Sequence, residues 1–171
     1  VRYYSTYLPE LYRMVLRQSA EFLKETLNEQ QRKHMKRSRP KILLATNLDD
    51  AMAMYEKYKS NLLGVISDVG FCEHRGGKPE EEKLDAGIEL VRHIKADDPK
   101  MPILLQSSQD CISAVAEELG VGFLRKYSKT LMIQLYEYIK EDFAFGDFIF
   151  RDADRVEYGR AANLKELEIL M

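Results

Sequence analysis

The chain has 171 residues, a formal charge of −2, 45% hydrophobic residues and 32% charged residues, an ordinary globular composition with room for one domain and an additional segment. This near-neutral charge gives no general attraction to nucleic acid or to an anionic membrane. No apolar run reaches the roughly 18 residues that a membrane-spanning helix needs, and the first residues, VRYYSTYLPE, lack the apolar core of a signal peptide. We therefore expect a cytoplasmic protein that binds neither nucleic acid nor membrane.

The cysteines and histidines point away from a disulfide framework and from zinc. Two cysteines, Cys72 and Cys111, are typical of a reducing compartment. The three histidines, His34, His74 and His93, share no spacing typical of a metal site. The chain lacks an initiator Met and ends in a helical pattern, NLKELEILM, so we expect it to be part of a longer protein.

Residues 8–37 predict one long helix. Their apolar side chains recur at helical spacing in two stripes, and Pro9 suits the first turn. At 1.5 Å per residue such a helix is roughly 40 Å long, about twice the length of a typical strand. Its second half, with Phe22, Leu23 and Leu27, would extend beyond any sheet that it covers. That overhang predicts a partner surface, most simply a homodimer formed through the long helices.

Strand and helix patterns then alternate. The predicted strands are KILLAT, LLGVISD, MPILLQS and VGFLRK, and helical patterns such as DDAMAMYEKYK and AGIELVRHIKA separate them. This alternation indicates parallel βαβ units and a doubly wound α/β sheet. After it, DFIFRDADRVEYGR predicts a hairpin, which a last helix follows.

Three consecutive predicted strands end in polar side chains that suit phosphoryl chemistry. Asp68 ends one strand, Ser107 the next and Lys126 the third. Ligands of an open parallel sheet bind outside the carboxyl ends of its strands, so we expect these side chains to converge. A carboxylate can accept a phosphoryl group as a nucleophile, while a hydroxyl and an ammonium bind its oxygens.

In this order, the three residues and the motifs ISDVGF, PILLQSS and GFLRK resemble the receiver domains of two-component response regulators, over about residues 41–142. The resemblance implies a flavodoxin-like sheet with strand order 2-1-3-4-5. It also implies that a histidine kinase or a small phosphodonor phosphorylates Asp68. Magnesium would be bound by Asp68, by the backbone carbonyl of Gly70 and by an acidic pair at the end of the first strand.

The resemblance also assigns roles after phosphorylation. Ser107 and Lys126 would move toward the phosphoryl group, and Phe123 would be the switch aromatic that re-packs. The sequence departs from the family at Tyr127, where a proline is usual, and at Cys72, in a loop that is longer than usual.

Chain length assigns KILLAT to the second strand of this order. Asp68 follows Thr46 by only 22 residues, whereas two helices, two strands and their loops need roughly 45. The first strand and its acidic pair would therefore lie upstream of Val1. Asn47 is then predicted to be a helix N-cap, with Asp50 at the third helical position.

An alternative remains open for the same stretch, NLDD. If KILLAT is instead the first strand, Asp49 and Asp50 become candidate metal ligands.

These patterns together predict a receiver-like domain at residues 1–142, with an extended first helix within residues 1–40, and a hairpin-helix appendage at 143–171. The junction RPKILLAT and the tail FAFGDFIFR…RAANLKELE are similar to the N-terminal receiver-like region of phosphoenolpyruvate-synthase-like proteins. This narrower resemblance implies regulation of a fused enzyme of that kind, and the chain itself is not expected to be an enzyme.

Two other functions fit the same residues. One is a pseudo-receiver that is never phosphorylated and serves as a docking or dimerisation module. The other is a small hydrolase with Asp68 as its nucleophile. The hydrolase is the weaker candidate because no second carboxylate or histidine at a strand end could act as the general base.

Overall fold

The computed structural model describes residues 8–17, 29, 40–78, 81–143, 148–152, 156–161 and 164–170. The chain divides into two compact units, Leu44–Ile149 and the combination of Val1–Leu43 with Phe150–Met171. The predicted domain boundary at residues 142 and 143 stays a prediction.

The elements follow one another as the alternating pattern predicts. In chain order they are α1 (residues 8–17), α2 (Leu48–Tyr58), a 3-10 turn (Lys59–Asn61), β1 (Val65–Asp68), β2 (Phe71–Cys72), β3 (Glu82–Lys83), α3 (Ala86–Asp97), β4 (Ile103–Ser107), α4 (Ile112–Glu118), β5 (Gly122–Arg125), α5 (Leu131–Glu141), β6 (Phe148–Arg151), β7 (Glu157–Ala161) and α6 (Leu164–Leu170).

The unit Leu44–Ile149 is an α/β structure with a three-stranded parallel sheet, in the order β1-β4-β5. Each strand is followed by a helix before the next strand of the sheet, which is the βαβ arrangement that the sequence predicts. Because the three strands run in the same direction, β1, β4 and β5 end at one edge of the sheet. We refer to it as the carboxyl edge.

One face of the sheet packs against α2, α3 and α4. Ile103 and Leu105 of β4 point to this face and join a buried cluster that includes Tyr55 of α2, Val91 of α3 and Ala116 of α4. Residues two apart along a strand share a face, so β4 contributes alternate side chains to this cluster. Burial of its large apolar side chains stabilises the fold by roughly 1.5–3 kcal/mol each.

The opposite face packs against α5. Leu104 points there, and its register partner in β5 is Gly122. A Cβ at Gly122 would lie 2.2 Å from the Tyr138 ring of α5, so the ring rests directly on the strand backbone. The Tyr138 hydroxyl also donates a hydrogen bond of 2.7 Å to the carbonyl of Ile103. Leu135, completely buried, adds to the contact surface of α5.

Helix α3 begins in direct contact with the end of β1. The Gly87 amide donates to the carbonyl of Val69 at 2.8 Å. A Cβ at Gly87 would lie 2.0 Å from the backbone oxygen of Asp68, a distance that no side chain tolerates. Glycine therefore allows the helix to approach the carboxyl edge at the residue that ends β1.

The prediction that KILLAT forms a strand is wrong for the part of the chain that the structure describes. Residues 41–46 belong to none of the three sheets of the described residues. Leu43 and Leu44 are 44% and 51% exposed. The physical reason is that a strand exists only through pairing of its backbone groups, and no described strand lies beside this segment.

The C-terminal segment contains the predicted hairpin and helix. β6 and β7 form a two-stranded sheet; between them the Asp152 amide donates to the carbonyl of Val156 at 3.0 Å. The rings of Phe150 and Tyr158 lie 6.3 Å apart across the pair, and α6 packs on β7.

The sequence also predicts an overhanging long helix and no membrane-spanning helix. The overhanging part of the long helix, with Phe22, Leu23 and Leu27, lies outside the described residues, so the predicted homodimer stays a prediction. Within the described ranges, no helix combines the length and apolar character needed to cross a bilayer.

Candidate functional site

Asp68 and Lys126 form an ion pair at the carboxyl edge of the sheet. Asp68 Oδ1 lies 3.0 Å from Lys126 Nζ, and the two side chains are 14% and 20% exposed. Asp68 ends β1, and Lys126 directly follows β5. The sequence predicts that strand-end side chains converge here, and the structure brings these two together. Since both charges are largely withdrawn from water, loss of either one would leave its partner poorly solvated.

Ser107 ends β4, the strand between those of Asp68 and Lys126, but its hydroxyl is hydrogen-bonded to a residue of its own loop. It is buried. Its Oγ accepts a hydrogen bond of 3.1 Å from the Gln109 amide. Its carbonyl accepts one of 2.9 Å from the Lys126 amide, which fixes the Lys126 backbone to the central strand. The predicted role of the hydroxyl in binding a phosphoryl oxygen stays a prediction.

Phe123 lies on the face of the sheet opposite to Asp68. Its register partner is Leu105, whereas that of Asp68 is Gln106. Phe123 is partly buried and packs against the cluster under α2, α3 and α4. Ser107 shares this face by alternation along β4. A movement of Ser107 toward Asp68 would thus disturb the same side of the sheet as Phe123, whose role as a switch stays a prediction.

Tyr127 holds the chain in an unusual conformation directly after Lys126. Its φ is +63°, and it is the one non-glycine residue with positive φ among the described residues. Left-handed backbone is unfavourable for a bulky side chain, so the turn that follows the site is strained. Receiver domains, which the sequence resembles, usually have a proline at this position, and this chain has Tyr127 instead. Within the described ranges every peptide bond is trans.

Gln106 is a buried polar residue beside the candidate site that sequence reasoning missed. It is the next-to-last residue of strand β4, after three apolar residues, and is only 2% exposed. It pairs in register with Asp68 on one side and with Leu124 on the other. The signal was present in the motif PILLQS, where a polar residue interrupts a buried run.

The described residues do not by themselves fit a magnesium site. No three acidic, histidine or cysteine side chains in these ranges gather in a way that could hold a metal ion. Asp68 is paired with an ammonium group, and magnesium prefers several oxygen ligands. Magnesium at Asp68 and the carbonyl of Gly70 thus stays a prediction that needs carboxylates from elsewhere.

Asn47, Asp49 and Asp50 are the start of α2. Asn47 Oδ1 accepts the Asp50 amide at 2.8 Å, and its Nδ2 donates to Asp50 Oδ2 at 2.7 Å. The predicted N-cap is therefore confirmed. The hydrogen bond with Asn47 has the largest effect and holds the pKa of Asp50 below its ordinary value. Desolvation opposes this shift, and the nearby Arg75 guanidinium lowers the pKa further.

The loop after β1 binds this helix start, a contact that the sequence analysis missed. His74 Nδ1 lies 2.7 Å from Asp49 Oδ2, and Arg75 Nη2 lies 3.1 Å from Asp50 Oδ1. We call these two contacts the loop–helix ion pairs. The Asp49 amide also donates to the carbonyl of Glu73 at 3.1 Å. The Asp49 carboxylate raises the pKa of His74 above its ordinary value.

The same loop contains a short antiparallel pairing of β2 with β3, where only a solvated loop was expected. Sequence reasoning had no pattern for it, because two-residue strands are too short to show alternation.

Comparison of the chain with models of known protein families, with curated proteins and with solved structures finds no match in any of the three.

Proposed function

We propose that this chain is a receiver-like signalling domain that accepts a phosphoryl group on Asp68. The observation that carries the proposal is the ion pair between Asp68 and Lys126, 3.0 Å long, at the carboxyl edge of a parallel sheet. This is the edge at which open α/β sheets bind ligands. The order β1-β4-β5 is compatible with the last three positions of the flavodoxin-like order 2-1-3-4-5, whose other strands would lie beyond β1.

The residues supply a balanced reaction. One oxygen of the Asp68 carboxylate attacks the phosphorus of a donor, which is a small acyl phosphate or a phosphohistidine of a kinase. A P–O bond forms, the bond from phosphorus to the donor breaks, and the leaving group keeps the electron pair. Asp68 becomes a mixed carboxylic–phosphoric anhydride, which carries a new dianionic charge.

Lys126 serves both before and after the transfer. Before it, the ammonium holds the carboxylate at the sheet edge in one position. During it, a cation at this place stabilises the charge that develops on the phosphoryl oxygens. Afterwards the ammonium binds these oxygens, and the Ser107 hydroxyl would have to give up its bond with the Gln109 amide to bind one of them. That exchange would disturb the face on which Phe123 packs.

The wider setting follows from the resemblance of the sequence. A histidine kinase or a small phosphodonor in the cytoplasm would act on the domain. Its output would be the regulation of a fused phosphoenolpyruvate-synthase-like enzyme, and self-association would occur through the long first helix.

The test is phosphorylation of the full-length protein with acetyl phosphate and magnesium, followed by intact mass measurement. We expect one base-labile phosphoryl adduct in the wild type and none in Asp68→Asn. Asp50→Asn is the matched control, because it removes a carboxylate from the start of α2 and leaves the carboxyl edge intact. It should keep the adduct.

If no adduct forms under conditions that label an ordinary receiver, the proposal is wrong. The second candidate, an unphosphorylated docking module, would then take its place.

A further inference from the structure

Two cationic side chains follow one another at the end of β5. Lys126 pairs with Asp68, the last residue of β1. Arg125, the last residue of β5, pairs with Asp110 in the loop after β4, and its Nε lies 3.1 Å from Asp110 Oδ1. The carboxyl edge of the sheet therefore has a second ion pair beside the one that carries the proposed function.

The two ion pairs differ in their contact with water. The side chains of Asp68 and Lys126 are 14% and 20% exposed, whereas those of Arg125 and Asp110 are 60% and 68% exposed. An ion pair as open as the second one contributes little to stability, because water screens the charges and ordering two long side chains costs entropy. Arg125 can therefore exchange Asp110 for a ligand of higher charge at little cost.

The Arg125 guanidinium has hydrogen-bond donors available for such a ligand. A guanidinium carries five N–H groups in a planar fork. Within the part of the chain that the structure describes, Asp110 is the one partner of this side chain. The fork matches the oxygens of a phosphate group, which arginine binds through two parallel hydrogen bonds. The ligand class that suits the remaining donors is thus a phosphate.

The strand register places Arg125 beside the candidate phosphoacceptor. Its partner in β4 is Ser107, which ends the central strand between β1 and β5. Lys126, the next residue, reaches Asp68 across the end of that strand. Arg125 extends past the same end, since it contacts the loop after β4. Successive side chains of a strand point to opposite faces, so Arg125 and Lys126 would approach a phosphate at this edge from two sides.

We propose that Arg125 is a specificity-determining residue that binds the phosphate group of the phosphodonor before transfer. This inference rests on the proposed function. In the free protein Asp110 holds the guanidinium at the carboxyl edge. A donor phosphate, which carries more negative charge than one carboxylate, replaces Asp110 when it arrives, while Lys126 stays with Asp68. The donors selected in this way are acyl phosphates and other compounds with a doubly charged phosphate group.

Arg125 makes no covalent bond and transfers no proton. Its contact with the phosphate exists before the transfer and persists during it. An interaction of equal strength in both states changes the donor concentration that half-saturates the reaction and leaves the maximal rate unchanged. This separation distinguishes a donor-binding role of Arg125 from a role in the transfer step.

The decisive variant is Arg125→Gln in the full-length protein. The initial rate of Asp68 labelling is measured against acetyl phosphate concentration, at constant magnesium and ionic strength. Loss of the charge-assisted contact should raise the half-saturating concentration roughly tenfold and leave the maximal rate unchanged. Arg92→Gln is the matched control, because Arg92 is an exposed arginine of α3. It should change neither quantity.

Asp110→Asn should act in the opposite direction. It removes the carboxylate that competes with the donor for Arg125, so the half-saturating concentration should fall. An unchanged half-saturating concentration in Arg125→Gln overturns the proposal, and so does an effect on the maximal rate alone. A higher half-saturating concentration in Asp110→Asn overturns it as well, because the intact ion pair, and not the released guanidinium, would then favour the donor.

Titration with inorganic phosphate tests the binding step without any transfer. The Nε–Hε resonance of Arg125 is followed by NMR in the unphosphorylated protein at constant ionic strength. We expect a saturable shift that in Asp110→Asn is complete at lower phosphate concentration. A resonance that does not move, or an equal shift of the Arg92 resonance, overturns the proposal.

The two measurements separate this inference from the proposed function. If acetyl phosphate labels the wild type and Arg125→Gln behaves as the wild type does, the role of Arg125 fails and the function stands. If Asp68 is never labelled, the function fails. The phosphate titration then decides by itself whether Arg125 binds phosphate at the carboxyl edge.

Discussion

At the carboxyl edge, a single residue determines how closely helix α3 can approach the end of strand β1. That residue is Gly87, because a Cβ at this position would lie 2.0 Å from the backbone oxygen of Asp68. The position of this glycine therefore affects both the packing of α3 and the placement of the candidate phosphoacceptor. A second glycine, Gly76, has a different role. Its backbone has a φ of +80°, and no atom lies within 4 Å of where a Cβ would be.

Gly87→Ala should be strongly destabilising. The new methyl group must displace α3 from the end of β1, and overpacking against backbone costs about 2–4 kcal/mol of unfolding free energy. Gly76→Ala is the control and should cost only about 1 kcal/mol, since it adds left-handed strain without a clash. Urea denaturation of both variants measures the difference. Equal losses in the two variants would show that α3 can move without penalty.

At the scale of elements, the attachment of the loop to α2 depends on ionised side chains. The loop–helix ion pairs join His74 and Arg75 to the first turn of the helix. They lie at the surface, so water and salt screen them. Their effect is on the position of the loop that follows Asp68 in the chain, more than on the stability of the whole protein.

The His74 pair should depend on pH in a defined direction. Its pKa is raised above the ordinary 6.5 by the hydrogen bond to Asp49 and by the charge of that carboxylate, with further contributions from Glu73 and Glu81. The stabilising contribution is therefore fully present below pH 6.5 and is lost as pH rises through the higher folded-state pKa.

NMR titration of the His74 ring checks this prediction. We expect a midpoint above 6.5 in the wild type and a return toward 6.5 in Asp49→Asn. Asp50→Asn is the control and should leave the midpoint raised, because Asp50 pairs with Arg75 instead. An unchanged midpoint in Asp49→Asn would contradict the assignment.

At the scale of the whole molecule, β1 has a described partner on one side only. Val65 and Val69 donate their amides toward β4, to Pro102 and Gln106. The amide of Ile66 points the opposite way by alternation along the strand. If the proposed strand order is correct, another strand lies on that side.

Amide hydrogen exchange of the full-length protein tests this strand. We expect the Ile66 amide to exchange about as slowly as that of Leu104 in the central strand, because both would be ladder hydrogen bonds. Exchange of Ile66 that is faster by orders of magnitude, with Leu104 still protected, would exclude a strand beside β1 and with it the order 2-1-3-4-5.

The amino-acid sequence by itself determined the α/β class, most of the helices and strands of the sheet, and the N-cap at Asn47. These features follow from local patterns: hydrophobic period, capping side chains and the polar residues that end apolar runs. The same patterns placed Asp68 and Lys126 at strand ends, and the parallel arrangement brings strand ends to one edge.

Only the tertiary structure decided which of these residues meet. KILLAT was predicted as a strand from its apolar run, but among the described residues it pairs with no other strand. A strand needs hydrogen bonds to a neighbouring strand, and an apolar run alone does not specify that neighbour. The loop–helix ion pairs join residues 25 positions apart, and no local pattern specifies such a contact. The place of Gln106 opposite Asp68 follows from the strand register, which depends on how the strands align in space and not on the sequence of any one of them.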